Sequence, residues 1–425
     1  MKRLWTQTRS FPPIVRLLMV NQFAINFGFS MLMPYLAFHL AGGLGLAASA
    51  VGLVLGLRHL SQQGLYLLGG TIVDRVGYKT PILAGCLLRT AGFGMLGWAE
   101  TLPALISASL ATGFASALFN PAVRAYLAAE AGERRVDAFA VFNVYFQGGM
   151  LLGPVVGFAL LAVDFRLVCV VAAGVFGALA VLQWRALPAR RGPAQCGVTA
   201  QWRAVAANRS FTLFSLAMAG SSVLTFQTYM LLPLVASETL GSDGPLVTGA
   251  LFAASAAVAV AAQLRLTAWV KLRWSAQQTL VRGLSLMGLA FVPLTLSPQG
   301  TTSVRSGCLA AAAVLLAVAS TVIHPFEMDM VVALARGRFV ATHYGLYSTV
   351  AGVSITGGNL AAGALWDAAR HAEHLVWGTL TALGLACAAW VAALGRTGHL
   401  PVRPPDTVPV GAPRPRVAGQ PDRTA

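Results

Sequence analysis

The chain has 425 residues, 56% of them hydrophobic and only 10% charged, with a formal net charge of +16. A soluble globular domain carries roughly a quarter of its residues as charges, so this composition excludes one. The cations lie scattered in short segments between apolar runs, which excludes a basic nucleic-acid-binding surface as the source of the charge.

About 20 apolar residues cross the hydrocarbon core of a bilayer. Twelve such runs follow in chain order: 14–40, 50–73, 81–99, 103–128, 138–162, 166–187, 211–236, 246–269, 276–296, 305–334, 341–366 and 375–395. Lipid offers no partner to a free backbone, and the runs lack the two-residue alternation of barrel strands, so each is predicted to be a helix. The fold class expected is an all-α polytopic membrane protein. The first run is longer than the apolar core of a cleavable leader and has no small-residue cleavage site, so it is expected to be retained. Cys86, Cys169, Cys196, Cys308 and Cys387 form no CxxC pair and have no metal-ligand spacing, which leaves them as packing residues.

Cations cluster in the N-terminus (Lys2, Arg3, Arg9, Arg16) and in every second loop, as in Arg75 and Lys79, Arg134 and Arg135, Lys271 and Arg273, and Arg336 and Arg338. The positive-inside rule then places both termini in the cytoplasm, and that parity requires an even number of spans. The segment 188–210, with Pro188, Pro193 and several arginines, divides the chain into helical bundles at 1–187 and 211–395, while the Pro-rich tail 396–425 is expected to be disordered at the cytoplasmic surface. The halves look alike: Phe119-Asn120-Pro121 corresponds to Ile323-His324-Pro325 at an offset of 204, and at the same offset Gly148 meets Gly352 and Gly153 meets Gly357. A 6 + 6 repeat is the natural reading.

Between the second and third runs stands Gly70-x-x-x-Asp74-Arg75-x-Gly77-x-Lys79. Gly70 would permit close approach of another helix and Gly77 the backbone of a tight turn. Asp74 has three available partners: Arg75, Arg134, or the positive N-terminus of another helix. The bland alternative is a solvated turn. The corresponding place between the eighth and ninth runs, around Val270-Lys271, has no carboxylate; if the turn is a latch, control of the gate is expected to lie with the N-terminal bundle. In the fifth run Gly149, Gly153 and Gly157 recur every four residues with Pro154 among them, giving one small face beside a helix bend. The alanine-rich eighth run is the expected partner of that face.

The turn motif resembles the one joining helices 2 and 3 in the major facilitator superfamily of secondary transporters, with Thr80 replacing a customary second cation. The fifth-run motif is similar to GxxxGPxxGG of that superfamily's drug:proton antiporters, with Phe158 in the last glycine place. Leu55-Gly56-Leu57-Arg58-His59, Gln62-Gln63-Gly64, Leu88 to Phe93 and Asp164 to Cys169 also look like bacterial multidrug-resistance exporters of the superfamily. The resemblance implies two six-helix bundles around a cavity opened alternately to each side. It also implies a bacterial inner-membrane location, and Ser109 stands where many antiporters carry an arginine.

Charges inside spans cost about 2.5–3.5 kcal/mol or more at the bilayer centre, so each is a functional candidate. These are Arg58, Arg89, Glu327 and Asp329. Glu327 or Asp329 would carry the coupled proton, or else form a permanent pair with Arg58, Arg89 or Arg124. Asn26, Gln62, Asn143, Gln147 and Gln227, with Tyr145, Phe146 and Tyr229, are candidates to line a substrate cavity, against the plainer reading of the aromatics as lipid-facing or core residues. The expected function is proton-coupled efflux of amphipathic small molecules, with a metabolite exporter or nutrient symporter as the alternative. No HExxH, GxSxG or paired metal ligands suggest an enzyme. The expected partners are the bilayer, the substrate and protons, with no nucleic acid, no cofactor and a monomeric chain; a receptor is the reading of another class.

Overall fold

The computed structural model describes residues 2–188, 197–240, 244–296, 301–368 and 372–401. A short helix α1 (Lys2–Arg9) precedes the first rod, α2 (Pro13–Phe38). Pro13 sits in the first turn of α2, where its missing N–H is not needed. The second rod is broken at Leu65 into α3 (Ala48–Gly64) and α4 (Tyr66–Val76), and α5 (Lys79–Trp98), α6 (Leu102–Ala131), α7 (Arg135–Leu161) and α8 (Phe165–Ala186) complete the N-terminal bundle. The connecting segment contains a helix of its own, α9 (Val198–Ala206).

In the C-terminal bundle, α10 (Arg209–Phe226) passes through a short 3₁₀ turn into α11 (Leu231–Leu240). It is followed by α12 (Gly244–Arg273), then α13 (Ala276–Leu289) with α14 (Val292–Leu296), and finally α15 (Thr302–Ala335), α16 (Val340–Ala368) and α17 (Glu373–Arg396). With the broken helices counted as single rods, twelve rods stand among the described residues, matching the twelve apolar runs. Seven stretches are long and apolar enough to cross a membrane by themselves, one of them holding both α6 and α7. The rod of α3 and α4, which bears Arg58, Asp74 and Arg75, is not among them. Residues 402–425, most of the tail expected to be disordered, lie outside the described residues.

Within the first bundle α5 lies between α6 and α8, and α2 packs along α7. The glycine face of α7 rests on α2, not on the eighth rod as its small residues suggested. A Cβ at Gly153 would stand 2.8 Å from Ser30 Cβ, and one at Gly149 2.8 Å from the Phe27 nitrogen. Gly157 faces Met31 and Tyr35 in the same way, and the Tyr35 hydroxyl donates to the Pro154 carbonyl at 2.6 Å. Aromatic side chains fill both interiors, with Phe93 stacked on Phe176 and Phe291 on Trp377. The bundles meet where α4 packs on α16 and α7 on α12 and α15.

Candidate functional site

Asp74 lies inside α4, which runs on to Val76 before Gly77 turns the chain at φ 95° and Lys79 opens α5. Residues bearing a Cβ rarely adopt that φ, which accounts for the glycine. The Asp74 side chain is only 1% exposed. Its carboxylate accepts the Ala341 N–H at 3.2 Å, the Thr342 N–H at 2.8 Å and the Thr342 hydroxyl at 2.6 Å. Since α16 begins at Val340, these are first-turn donors that the helix itself cannot satisfy. A residue of one bundle therefore caps a helix of the other, the third of the partners open to Asp74.

The other two candidate partners are engaged elsewhere. Arg134 donates to the Ser10 carbonyl at 3.1 Å and lies over the Phe11 ring. Arg75 reaches Gln201 Oε1 at 3.4 Å, and Gln201 in turn donates to the Thr342 hydroxyl at 2.7 Å. The connecting helix α9 is thus part of the same junction, and Trp202 adds a 2.7 Å bond to Thr71. Gly70 leaves room for α16: a Cβ there would stand 2.7 Å from the Ala341 carbonyl carbon.

A second junction occupies the related position on the other side of the seam. Lys271, in the last turn of α12, is 3.1 Å from Asp137, the third residue of α7, just as Asp74 in the last turn of α4 meets Thr342, the third residue of α16. The missing carboxylate near Val270 therefore does not leave this side open. The polarity is reversed, with the cation at the helix end and the acid in the facing first turn. The pair adds a second contact to the seam beside that of Asp74.

Between the junctions Arg135 Nε lies 2.6 Å from Asp329 Oδ1, and Asn143 donates to Gln263 at 2.6 Å. Arg124 contributes a longer bond to Ser348, at 3.4 Å. These contacts close the end of the molecule where α4 ends and α16 begins. Asp329 is thus held by Arg135, a partner outside the expected set of Arg58, Arg89 and Arg124. Glu327 differs: it is 8% exposed, accepts a hydrogen bond from the Tyr347 hydroxyl, and has His324 Nδ1 at 3.9 Å.

Arg58 and Arg89 are buried in the N-terminal bundle, away from both carboxylates of α15 in their bonding. The cavity candidates do not converge on one site. Gln62 bonds Arg58 and Tyr66, while Asn26 bonds the Gln22 carbonyl of its own helix. Gln227 is fully buried against Val223 and Asn359, and Tyr229 is exposed. Gln147 and Phe146 are half-buried on α7. Tyr145 turns away from the seam into a groove of about 420 Å³ with Trp5, Arg9 and Arg16 on its walls.

Sequence reasoning missed Arg135, Gln201, Thr342, Tyr347 and the Lys271 to Asp137 pair as site residues. The one available signal was the repeat, which sets the end of α12 opposite the start of α7 as it sets α4 opposite α16.

Comparison with known proteins agrees with this architecture. The family model described as Major Facilitator Superfamily matches residues 18–358. An uncharacterized MFS-type transporter of Mycobacterium tuberculosis (strain H37Rv) is 51% identical over 389 residues, covering 90% of this chain and 93% of that protein. Multidrug resistance protein MdtH of Cronobacter sakazakii is 29% identical and that of Shigella dysenteriae 27%, each covering 87% of this chain and 90% of the relative. Among solved structures, the human organic anion transporter MFSD10 superposes with a TM-score of 0.70 at 16% identity, covering 89% of this chain and all of that one. A POT family transporter in complex with 5-aminolevulinic acid gives 0.68 at 14% identity, covering 91% and 96%. With twelve rods in two bundles and a family match over most of its length, the chain is a transporter of the Major Facilitator Superfamily and not an enzyme.

Proposed function

We propose that this transporter exports amphipathic small molecules across a bacterial cytoplasmic membrane in exchange for protons. The distribution of cations between alternate loops supports a cytoplasmic position for the seam, which makes this the state closed on that side. The observation that carries the coupling is the contrast between the two carboxylates of α15. Asp329 is engaged with the Arg135 guanidinium across the seam, whereas Glu327 meets a hydroxyl and an imidazole. A carboxylate with no cation in ion-pair contact can be neutralised without breaking a salt bridge, and its charge state then biases which packing of the seam is stable. Glu327 is therefore the proton carrier, and Asp74 and Asp329 hold the gate. Export of drugs is supported by the likeness to proteins named MdtH.

The test is substrate-driven proton movement in proteoliposomes with a panel of fluorescent amphiphiles of both charges. Glu327→Gln is expected to abolish proton movement while substrate exchange continues, and Asp329→Asn to preserve it. Full coupling in Glu327→Gln would remove the carrier assignment. No proton movement with any compound would overturn antiport itself.

A further inference from the structure

The N-terminal bundle buries two guanidinium groups that no carboxylate accompanies among the described residues. Arg58 is 5% exposed and Arg89 4%. Arg58 reaches Gln62 Oε1 at 3.4 Å and His59 at 3.2 Å, and lies 5.0 Å over the Phe29 ring. Arg89 donates to the Ser116 hydroxyl at 2.8 Å and sits between the rings of Phe119 and Phe176. Neither has an acid within ion-pair distance among the described residues. Arg58 Nε and Arg89 Nη1 are buried and have no hydrogen-bond partner.

Both arginines are gathered on one face of α6. Gly113 underlies the backbone of Arg58, Ser116 one turn on receives Arg89, and Asn120 one turn further donates to the Tyr66 hydroxyl at 2.9 Å. Gln62 also donates to that hydroxyl, at 2.9 Å. Tyr66 accepts twice and keeps its own proton to give. The cluster therefore offers two unused guanidinium N–H groups and a phenol, all donors, around two positive charges. Gln62 and Asn120 at its edge are half-buried, while the two unpaired nitrogens are themselves fully buried.

Uncompensated charge at this depth is among the costliest arrangements a membrane helix can hold. Aromatic faces and neutral hydroxyls relieve only part of that cost. What the cluster lacks is an anion. We propose that Arg58 and Arg89, with Tyr66, form the recognition site for the anionic group of the transported molecule, so that the substrates are amphipathic organic anions such as carboxylates. This deepens the export reading and rests on it: a planar carboxylate suits guanidinium donors, and the rings around them suit its apolar body.

The inference is tested on the purified full-length protein by fluorescence polarisation with two dyes of similar tricyclic shape, carboxyfluorescein (anionic) and rhodamine 123 (cationic). Carboxyfluorescein is expected to bind saturably and at least about tenfold more tightly than rhodamine 123, the effect of charge-assisted hydrogen bonds. Arg58→Gln and Arg89→Gln should each weaken carboxyfluorescein by a similar factor and leave rhodamine 123 unchanged. Arg58→Lys, which keeps the charge but loses Nε, serves if Arg58→Gln does not fold, and should show a smaller loss. Equal binding of the two dyes, or carboxyfluorescein binding unchanged in the variants, would overturn the proposal. So would thermal stabilisation by chloride with no binding of carboxyfluorescein, which would make the cluster a fixed counter-ion site. Because binding is read at equilibrium without a gradient, failure of proton coupling leaves this result standing.

Discussion

Replacing Asp74 by Asn should open the seam. The carboxylate uses one oxygen for the Ala341 N–H and the other for both donors of Thr342. An Asn side chain can keep the oxygen toward Thr342, but then turns its NH₂ toward the Ala341 N–H. One charge-assisted bond is lost outright and two become neutral. With charged hydrogen bonds contributing about 1.5–3 kcal/mol and neutral ones about 0.5–1.5 kcal/mol, the closed state loses about 4–5 kcal/mol against an open state in which residue 74 is hydrated. That corresponds to a shift in population of roughly a thousandfold or more. Spin labels at Glu133 and Arg338, exposed on opposite bundles at this end, report the separation by pulsed electron–electron resonance in a chain whose five cysteines are replaced. The variant should populate a longer distance that the parent lacks. Identical distance distributions in a folded Asp74→Asn protein would refute the capping argument.

The same label pair tests the remaining contacts. Gly70→Leu places a side chain where a Cβ already stands 2.7 Å from the Ala341 carbonyl carbon, so it should force α4 and α16 apart and abolish transport without unfolding either bundle. Arg135→Gln should weaken the closed state by about 2 kcal/mol, and the double variant with Asp329→Asn should lie closer to the parent than the single one does. Lys271→Ala, at a pair each 18% exposed, should weaken the closed state by about 1 kcal/mol, an effect reduced but not removed by high salt. Gly153→Leu overpacks the contact with α2, where a Cβ would meet Ser30 Cβ at 2.8 Å, and should lower the unfolding temperature through a loss of about 3 kcal/mol, with Gly153→Ala intermediate.

The rods were legible because spanning a bilayer needs a length of apolar sequence that little else needs. The break at Leu65 was not, since it carries no proline, whereas the one after Phe226 had an overlooked signal in Pro233, whose ring clashes with the carbonyl four residues back, at Tyr229. The turn glycine Gly77 was readable because its φ is a local property of the chain. The partner of Asp74 was not, because the choice among Arg75, Arg134 and a distant helix end turns on which rods face each other. Arg135 was hidden by its place in the sequence: it reads as one of two loop cations, yet it is the first residue of α7 and points at Asp329. The glycine ladder of α7 was visible as a packing face, but its pattern carries no label for the helix it meets.

The clasp between α4 and α16 draws two of its three hydrogen bonds from main-chain N–H groups. Any residue at 341 or 342 other than proline supplies that donor. Loss of the Thr342 hydroxyl therefore removes one bond of the three, whereas loss of the Asp74 carboxylate removes the acceptor of all three; bulk is a separate constraint on the α16 side, since Ala341 and Thr342 are fully buried. The two halves of the transporter are unequally exposed to genetic damage at the place where they grip each other: random mutagenesis should return loss of the clasp at position 74 from loss of the carboxylate, and at 341 or 342 chiefly from proline or bulky residues.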